Sequence, residues 1–272
     1  MIDKKLVVLL SLCIAGGMVP AQAANCVSGS LLSTYVGSSC DIGSLTFSFL
    51  SFGVIGSTAS TTPTGGLDAA HVTITTLTNA NGAGFLLTPT VAWTAIGGGS
   101  NTDSELKYVV TGTGIISNYM EVDGSAVSGA FAHILEDYCL GGSVAGGNIS
   151  ATPGAGLNPP CNGPGNGNPG PVGVFDTRIT GAGICGQGSV VSPTGAGPTA
   201  CGATKTFAAQ TSIAVLKDID INGGNSNQPN PQAQITGVIN QFGLVVPEPG
   251  TYALSFIGLG LMLFGARKYS RS

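Results

Sequence analysis

Hydrophobic and polar residues alternate with a period of two along much of this chain. In SLTFSFLSF, residues 44–52, Leu45, Phe47 and Phe49 fall on one face of an extended backbone, and Ser and Thr fall on the other. This is the pattern of a half-buried β-strand, and HVTITTLT at 71–78 repeats it. The same patterning predicts strands in GFLLTPTVAWTAI, ELKYVVTG, GIISNYM, AVSGAFAHIL, TSIAVLKDIDI and AQITGVINQFGLV. About eight to ten short strands without helical spacing predict an all-β fold, an antiparallel β-sandwich.

The alternation stops in a segment rich in glycine and proline. Residues 141–174 read GGSVAGGNISATPGAGLNPPCNGPGNGNPGPVGV, and similar text returns in SPTGAGPTACGA. Such composition is typical of a long loop rather than of a regular element. We therefore predict one domain over residues 24–245, with a largely irregular insertion at 141–202.

The N-terminal residues have the three parts of a secretory signal peptide. Two lysines precede the apolar run LVVLLSLCIAGGMV, and PAQAA follows it with Ala21 and Ala23 at the small-residue spacing of a cleavage site. This order indicates a signal peptide over residues 1–23, cleaved after Ala23, rather than a membrane anchor.

The charge of the remaining chain limits its partners. Charged residues make up 8% of the sequence, and residues 24–247 contain four basic and eleven acidic side chains, a net charge of −7. An acidic chain with so few cations is not expected to bind nucleic acid or an anionic surface through a basic patch.

Six cysteines remain after the signal peptide, and an even number in an exported chain indicates disulfides. Six cysteines allow fifteen complete pairing schemes, and sequence alone does not choose among them. Proximity favours the scheme that joins neighbours along the chain. No C-x-x-C pair is present, which disfavours a zinc site. The three favoured pairs are Cys26–Cys40, Cys139–Cys161 and Cys185–Cys201.

Catalytic motifs are missing from the sequence, and we expect no enzyme. The two histidines, His71 and His133, occupy alternating strand positions, where a structural role is more common than general base catalysis. Sequence-adjacent carboxylates do not by themselves supply the two groups across a cleft that glycoside hydrolysis needs. Trp93 lies among apolar residues and is expected in the core, whereas tyrosines such as Tyr119 are too scattered to define a sugar-binding face. The adjacent carboxylates are Asp103/Glu105, Glu121/Asp123, Glu136/Asp137 and Asp218/Asp220.

The best candidate for a cation site is KDIDINGGN. Asp218, Asp220 and Asn222, followed by Gly223, match the opening of a calcium-binding loop. The twelfth position is Pro229 instead of the bidentate Glu, and no helices flank the segment. The alternative is a strand with these three polar residues on its solvent face, followed by a Gly-Gly turn. No other cofactor is expected.

The C-terminal residues 246–272 contain a Pro-Glu-Pro element, an uncharged run at 251–266 and basic residues behind it. The run is slightly short for a transmembrane helix, and the basic residues place the tail in the cytoplasm and the main domain outside. In this order the three parts resemble the PEP-CTERM sorting signal of Gram-negative bacteria that contain exosortase. The matching residues are Pro247, Glu248, Pro249, Arg267, Lys268 and Arg271.

The resemblance implies an exported protein that is held transiently in the inner membrane, cut by an exosortase-type protease, and passed to the cell surface or an extracellular polysaccharide matrix. We therefore expect a structural or adhesive protein in contact with extracellular polysaccharide. The alternative is a glycan- or calcium-binding surface module, which would show an exposed aromatic or acidic cleft.

Overall fold

In the computed structural model, residues 23–245 are described, except 59, 63, 65, 141–142, 145–160, 163–172, 181–199, 225–226 and 228–229. This part of the chain is β-structure with two short 3-10 turns, Leu32–Thr34 and Ala69–His71. The strands, in chain order, are β1 (Ser30–Leu31), β2 (Ser38–Ile42), β3 (Leu45–Ser57), β4 (Thr61–Thr62), β5 (Val72–Asn79), β6 (Gly82–Pro89), β7 (Trp93–Ile96), β8 (Asn101–Val127), β9 (Phe131–Leu140), β10 (Ser143–Val144), β11 (Cys161–Asn162), β12 (Gly173–Thr180), β13 (Ala200–Asn222) and β14 (Gln232–Leu244).

Two long neighbouring strands, β8 and β13, organise the fold. They pair antiparallel from Asn101 opposite Asn222 to Asp123 opposite Ala200, with register shifts between Thr206 and Ser212. On the β8 side of these shifts lies Gly114, whose φ of 73° belongs to the left-handed region that glycine adopts without strain. The irregularity divides the β8–β13 ribbon into two halves.

Each half of the ribbon belongs to a different layer. Sheet I has the order β2-β3-β8-β13-β9-β12 and uses residues 101–111 of β8. Sheet II has the order β1-β5-β6-β14-β8-β13 and uses residues 115–127 of β8. β7 pairs with residues 232–235 of β14, on the same edge of β14 that pairs with β6 further along the strand. The other edge of β7 pairs with β4. β10 and β11 form a separate two-stranded sheet.

The two layers meet at a cluster of aromatic side chains. Phe47 of sheet I packs edge-on against Phe85 of sheet II, with ring centroids 5.6 Å apart, and Phe49 lies 5.4 Å from the same ring. Tyr108 of sheet I contacts Phe85 at 5.4 Å and Phe242 at 6.3 Å. All five rings are fully buried, so this cluster is the centre of a sandwich core, and deleting one such ring typically costs about 3–5 kcal/mol.

The structure confirms the prediction of an all-β antiparallel sandwich. Where two short strands were expected over 105–120, the single strand β8 continues through the glycines, because β13 pairs with it on both sides of the register shift. Inside the segment predicted to be irregular, 141–202, the structure has β10, β11, β12 and the start of β13. Strand β12 alternates as GVFDTRIT and completes the edge of sheet I beside β9.

The predicted signal peptide and C-terminal transmembrane helix lie outside the described residues. Within the described ranges, no helix has the length and hydropathy that crossing a membrane requires.

Candidate functional site

A row of one aromatic and two acidic side chains occupies the outer face of sheet II. Tyr119, Glu121 and Asp123 are alternate residues of β8, so their side chains leave the same face of the strand, while Met120 and Val122 between them are buried in the core. Each of the three is partly exposed. We call these three residues the tyrosine–acid row.

Glycines on the neighbouring strands leave room for this row to lie across the sheet. Gly202 of β13 stands opposite Glu121, and a Cβ atom there would lie 2.6 Å from Tyr119 Oη and 3.0 Å from Glu121 Oε2. Gly237 of β14 stands opposite Asp123, and a Cβ atom there would lie 2.9 Å from Asp123 Oδ2. The phenol and the carboxylates therefore lie flat over the adjacent strands and form a polar surface there.

The row is linked by hydrogen bonds and shares protons. Tyr119 Oη donates to Glu121 Oε2, and burial together with this carboxylate raises the pKa of Tyr119. Partial burial, then the charge of Glu121 and a hydrogen bond with it, raise the pKa of Asp123 to about 7. Near neutral pH Asp123 is therefore protonated in about half of the molecules, and the row offers both donors and acceptors.

A second group of polar residues lies inside the sandwich. Glu136 of β9 and Lys217 of β13 are directly opposed in sheet I, and Lys217 Nζ lies 3.0 Å from Glu136 Oε1. From sheet II, Asn118 Nδ2 donates to Glu136 Oε2 at 2.5 Å, and Asn240 Nδ2 donates to Asn118 Oδ1 at 2.7 Å. Tyr108 Oη donates to Glu136 Oε1 at 2.9 Å and also contacts Asn240 Oδ1. We call these five residues the core polar cluster.

The core polar cluster is cut off from solvent. Its members are at most 1% exposed, so the ions in it have lost their hydration and depend on one another. Burial lowers the pKa of Lys217, against the opposing charge of Glu136. The contact between Lys217 Nζ and Glu136 is close but lacks the angles of a hydrogen bond, and the nitrogen has no hydrogen-bond partner among the described residues.

The predicted cation-site residues lie at the end of β13. Asp218, Asp220 and Asn222 share one face of that strand, and Asn222 Oδ1 accepts a hydrogen bond from Gly224 N at 2.7 Å, which starts the turn. Instead of facing solvent, Asp218 is buried, because it lies opposite Glu105 of β8 and beside Asp103 in a central part of sheet I. Across the described ranges, no three His, Cys, Asp or Glu side chains are grouped as metal ligands.

Asp218 forms a carboxyl pair with Asp103. Burial, then a hydrogen bond with Asp103 and the charges of Asp103, Asp220 and Glu105, raise the pKa of Asp218 to about 9. Atom Oδ1 of each partner has no hydrogen-bond partner within the described part of the chain. Lys107 Nζ lies 2.5 Å from Glu105 Oε1, and burial raises the pKa of Glu105 despite this cation. The pair is a buried, proton-holding element of the sheet.

Some of the remaining predicted residues are described by the structure, and others lie outside the described ranges. Cys26 and Cys40 form a disulfide, as proximity predicted, and Trp93 is buried in the core. His71 is partly exposed and its Nδ1 lies 2.8 Å from Asp68 Oδ1. The side chains of Cys139, Cys161, Cys185 and Cys201 are not described, so their pairing stays a prediction, as does cleavage at Ala21 and Ala23. The sorting residues at 247–249, and the basic residues 267, 268 and 271, also lie outside the described residues.

Sequence reasoning noticed Glu121, Asp123 and Tyr119 but did not join them. The signal was present, because N-Y-M-E-V-D alternates and places the three on one face of any strand. The core polar cluster was missed because its five members come from four strands, and only the pairing of the sheets brings them together.

The fold and its disulfide define the class: a disulfide-bonded, all-β sandwich protein. A family model described as the PEP-CTERM protein-sorting motif matches residues 245–271. The chain thus carries the sorting signal of PEP-CTERM proteins, which implies export and processing by an exosortase while the protein is anchored in the membrane, before its release. No curated protein matches the sequence.

Three solved structures have some similarity to the fold. The carbohydrate-binding module TmCBM61, solved with β-1,4-galactotriose, has 8% identity and a TM-score of 0.29 and covers 72% of this chain and 90% of its own. The exo-β-1,3-galactanase of Phanerochaete chrysosporium has 11% identity and a TM-score of 0.20, covering 61% and 26%. A structure of carbohydrate-binding modules of the β-sandwich superfamily has 6% identity and a TM-score of 0.22, covering 81% and 62%. Scores this low carry no argument about ligand or activity.

Proposed function

We propose that this protein is an adhesive component of an extracellular polysaccharide matrix and that it binds neutral polysaccharide through the tyrosine–acid row. The observation that carries the proposal is the row itself: Tyr119, Glu121 and Asp123, partly exposed on one face of β8 and extended over Gly202 and Gly237. A sugar ring offers an apolar face and a rim of hydroxyl groups, and such a ligand needs an aromatic surface beside hydrogen-bonding groups that are fixed in place.

The charge of the surrounding sheet supports a neutral ligand. Strands β1, β5, β6 and β14 and residues 115–127 of β8 contain no lysine, arginine or histidine, and the part of β13 in sheet II contributes one cation, Lys205, opposite Asn118. The acidic side chains there would repel uronic acids, whereas hydroxyl groups can donate to the carboxylates and accept from the protonated one. We propose binding rather than catalysis, because the two carboxyl groups share a proton, whereas glycoside hydrolysis needs carboxyl groups about 5 Å or more apart across the substrate.

Binding of the full-length protein to insoluble neutral polysaccharide tests this proposal. Tyr119→Ala is expected to weaken binding by about fivefold, since an aromatic contact contributes on the order of 1 kcal/mol. Glu121→Gln is expected to weaken it as well, because it removes a charged acceptor. Glu105→Gln makes the same chemical change in sheet I and serves as the matched control, which should bind like the wild type.

Two results would contradict the proposal. One is equal binding by the wild type and Tyr119→Ala to every neutral polysaccharide that the wild type retains. The other is retention of an anionic polysaccharide in preference to neutral ones.

A further inference from the structure

The core polar cluster contains an amine, an amide and a carboxyl group in contact, and none of them takes part in the proposed polysaccharide binding. Lys217 is fully buried and burial lowers its pKa, which favours the neutral amine, the form that acts as a nucleophile. Glu136 contacts Lys217 Nζ with Oε1 at 3.0 Å and Asn118 Nδ2 with Oε2 at 2.5 Å. One carboxyl group therefore bridges a nucleophile and the nitrogen of a primary amide.

We propose that Lys217 and Asn118 form an intramolecular isopeptide bond, with Glu136 as the catalytic residue that transfers the proton. Lys217 Nζ attacks Cγ of Asn118, and a new Nζ–Cγ bond forms. Glu136 takes a proton from Nζ through Oε1 and supplies one to Nδ2 through Oε2. The Cγ–Nδ2 bond breaks and ammonia leaves, so Glu136 ends as it began. The reaction needs no oxidant, cofactor or second protein.

The surroundings of the amide favour this chemistry. Asn240 Nδ2 donates to Asn118 Oδ1 at 2.7 Å, which is the oxygen that becomes negative when Cγ is attacked. A donor already placed on that oxygen stabilises the charge in a site closed to solvent. Lys217 and Asn118 both contact the carboxyl group of Glu136, and their reaction is intramolecular, which replaces a slow bimolecular aminolysis. Loss of ammonia to solvent makes the product permanent.

Asn118 is a better acceptor than its neighbour Asn240. Glu136 Oε2 lies 2.5 Å from Asn118 Nδ2 but 3.4 Å from Asn240 Nδ2. Asn240 Nδ2 also donates to Asn118 Oδ1 and lies 3.3 Å from the carbonyl oxygen of Tyr119, so it is placed to support Asn118 rather than to leave. Lys217 belongs to sheet I and Asn118 to sheet II, so the bond would tie the two layers of the sandwich covalently.

Mass spectrometry of the wild-type, full-length protein tests the proposal directly. The intact mass after disulfide reduction is expected to be lower than that of the unlinked chain by the mass of one ammonia. Trypsin should fail to cut after Lys217, and the digest should contain a branched product that joins residues 108–178 to residues 206–267. A link to Asn240 would instead stay within the 206–267 peptide, and this result would overturn the assignment to Asn118.

The proposal would be overturned altogether by two observations together: an intact mass that is not lower by one ammonia, and a linear peptide of residues 206–217 with an unmodified Lys217. Two variants extend the test. Glu136→Gln keeps the shape of the side chain but cannot transfer the proton. This variant should have the mass of the unlinked chain, and its digest should lack the branched product. Lys107→Met, a lysine of the neighbouring strand outside the cluster, is the matched control. It removes the tryptic site after residue 107, so its branched product should join residues 6–178 to residues 206–267. The wild-type digest decides the question even where Glu136→Gln fails to fold.

Discussion

Replacing Asp218 with asparagine should make the protein less sensitive to alkaline pH. Asp218 shares a proton with Asp103, and it faces the further carboxylates of Glu105 and Asp220, with Lys107 paired to Glu105 as the nearby cation. Asparagine has the shape of protonated Asp218 and can donate from Nδ2 to the Asp103 carboxylate in place of the shared proton. The variant therefore keeps the hydrogen bond and removes the titration.

The magnitude follows from the pKa of Asp218, which is about 9 in the folded protein against an ordinary value of 3.8. Between these values the folded state holds a proton that the unfolded state has lost, so rising pH favours unfolding. The free energy of unfolding should fall by about 1.4 kcal/mol per pH unit, or on the order of 4 kcal/mol from about pH 5 to about pH 8. Below the ordinary pKa the stabilising proton is present in full, and above about pH 9 its contribution is lost.

Urea denaturation at a series of pH values measures this effect, with EDTA present so that cations do not contribute. Wild-type stability should decline across this range, and the Asp218→Asn curve should lie above it by a difference that grows with pH. Asp68→Asn is the matched control, because Asp68 is an exposed carboxylate whose pKa its contacts with His71 and Ala70 lower. That control should keep the wild-type slope. Parallel curves for the wild type and Asp218→Asn would refute the reasoning.

Three further predictions concern the disulfide, the sorting motif and calcium. Replacing Cys26 and Cys40 together with serine opens a bridge of sequence separation 14 and should lower the free energy of unfolding by about 3 kcal/mol in urea denaturation; an unchanged midpoint would contradict this. Alanines at 247–249 should trap full-length protein in the inner membrane, seen by fractionation and immunoblotting, whereas unchanged size and location would indicate a plain anchor. Calcium should raise the melting temperature of the wild type more than that of Asp220→Asn if the KDIDIN segment binds the ion, and equal shifts would count against the site.

The strands of the sandwich were predictable because alternation depends only on which face of each strand is buried. The length of β8 was not predictable, since glycines at 112 and 114 are typical of a turn between two strands. In the folded protein β13 pairs with β8 before and after these glycines, so the backbone passes from sheet I to sheet II without ending the strand. Local sequence gives the position of this irregularity, but only the partner strand decides whether the chain turns back or continues.

The core polar cluster shows how the same alternation could reveal more than strands. In TSIAVLKDIDI, Lys217 lies on the same face of the strand as the buried residues Val215 and Ile219. Glu136 and Asn240 likewise share a strand face with buried neighbours, Ile134 and Phe242 respectively. A charged or amide side chain at a core-facing position must find partners there, because burying it alone costs several kcal/mol. Such residues on separate strands are therefore expected to meet. Alternation along a strand does not show which strands face each other. The contacts of Glu136 with Lys217 and Asn118, and the chemistry that they permit, therefore follow only from the fold.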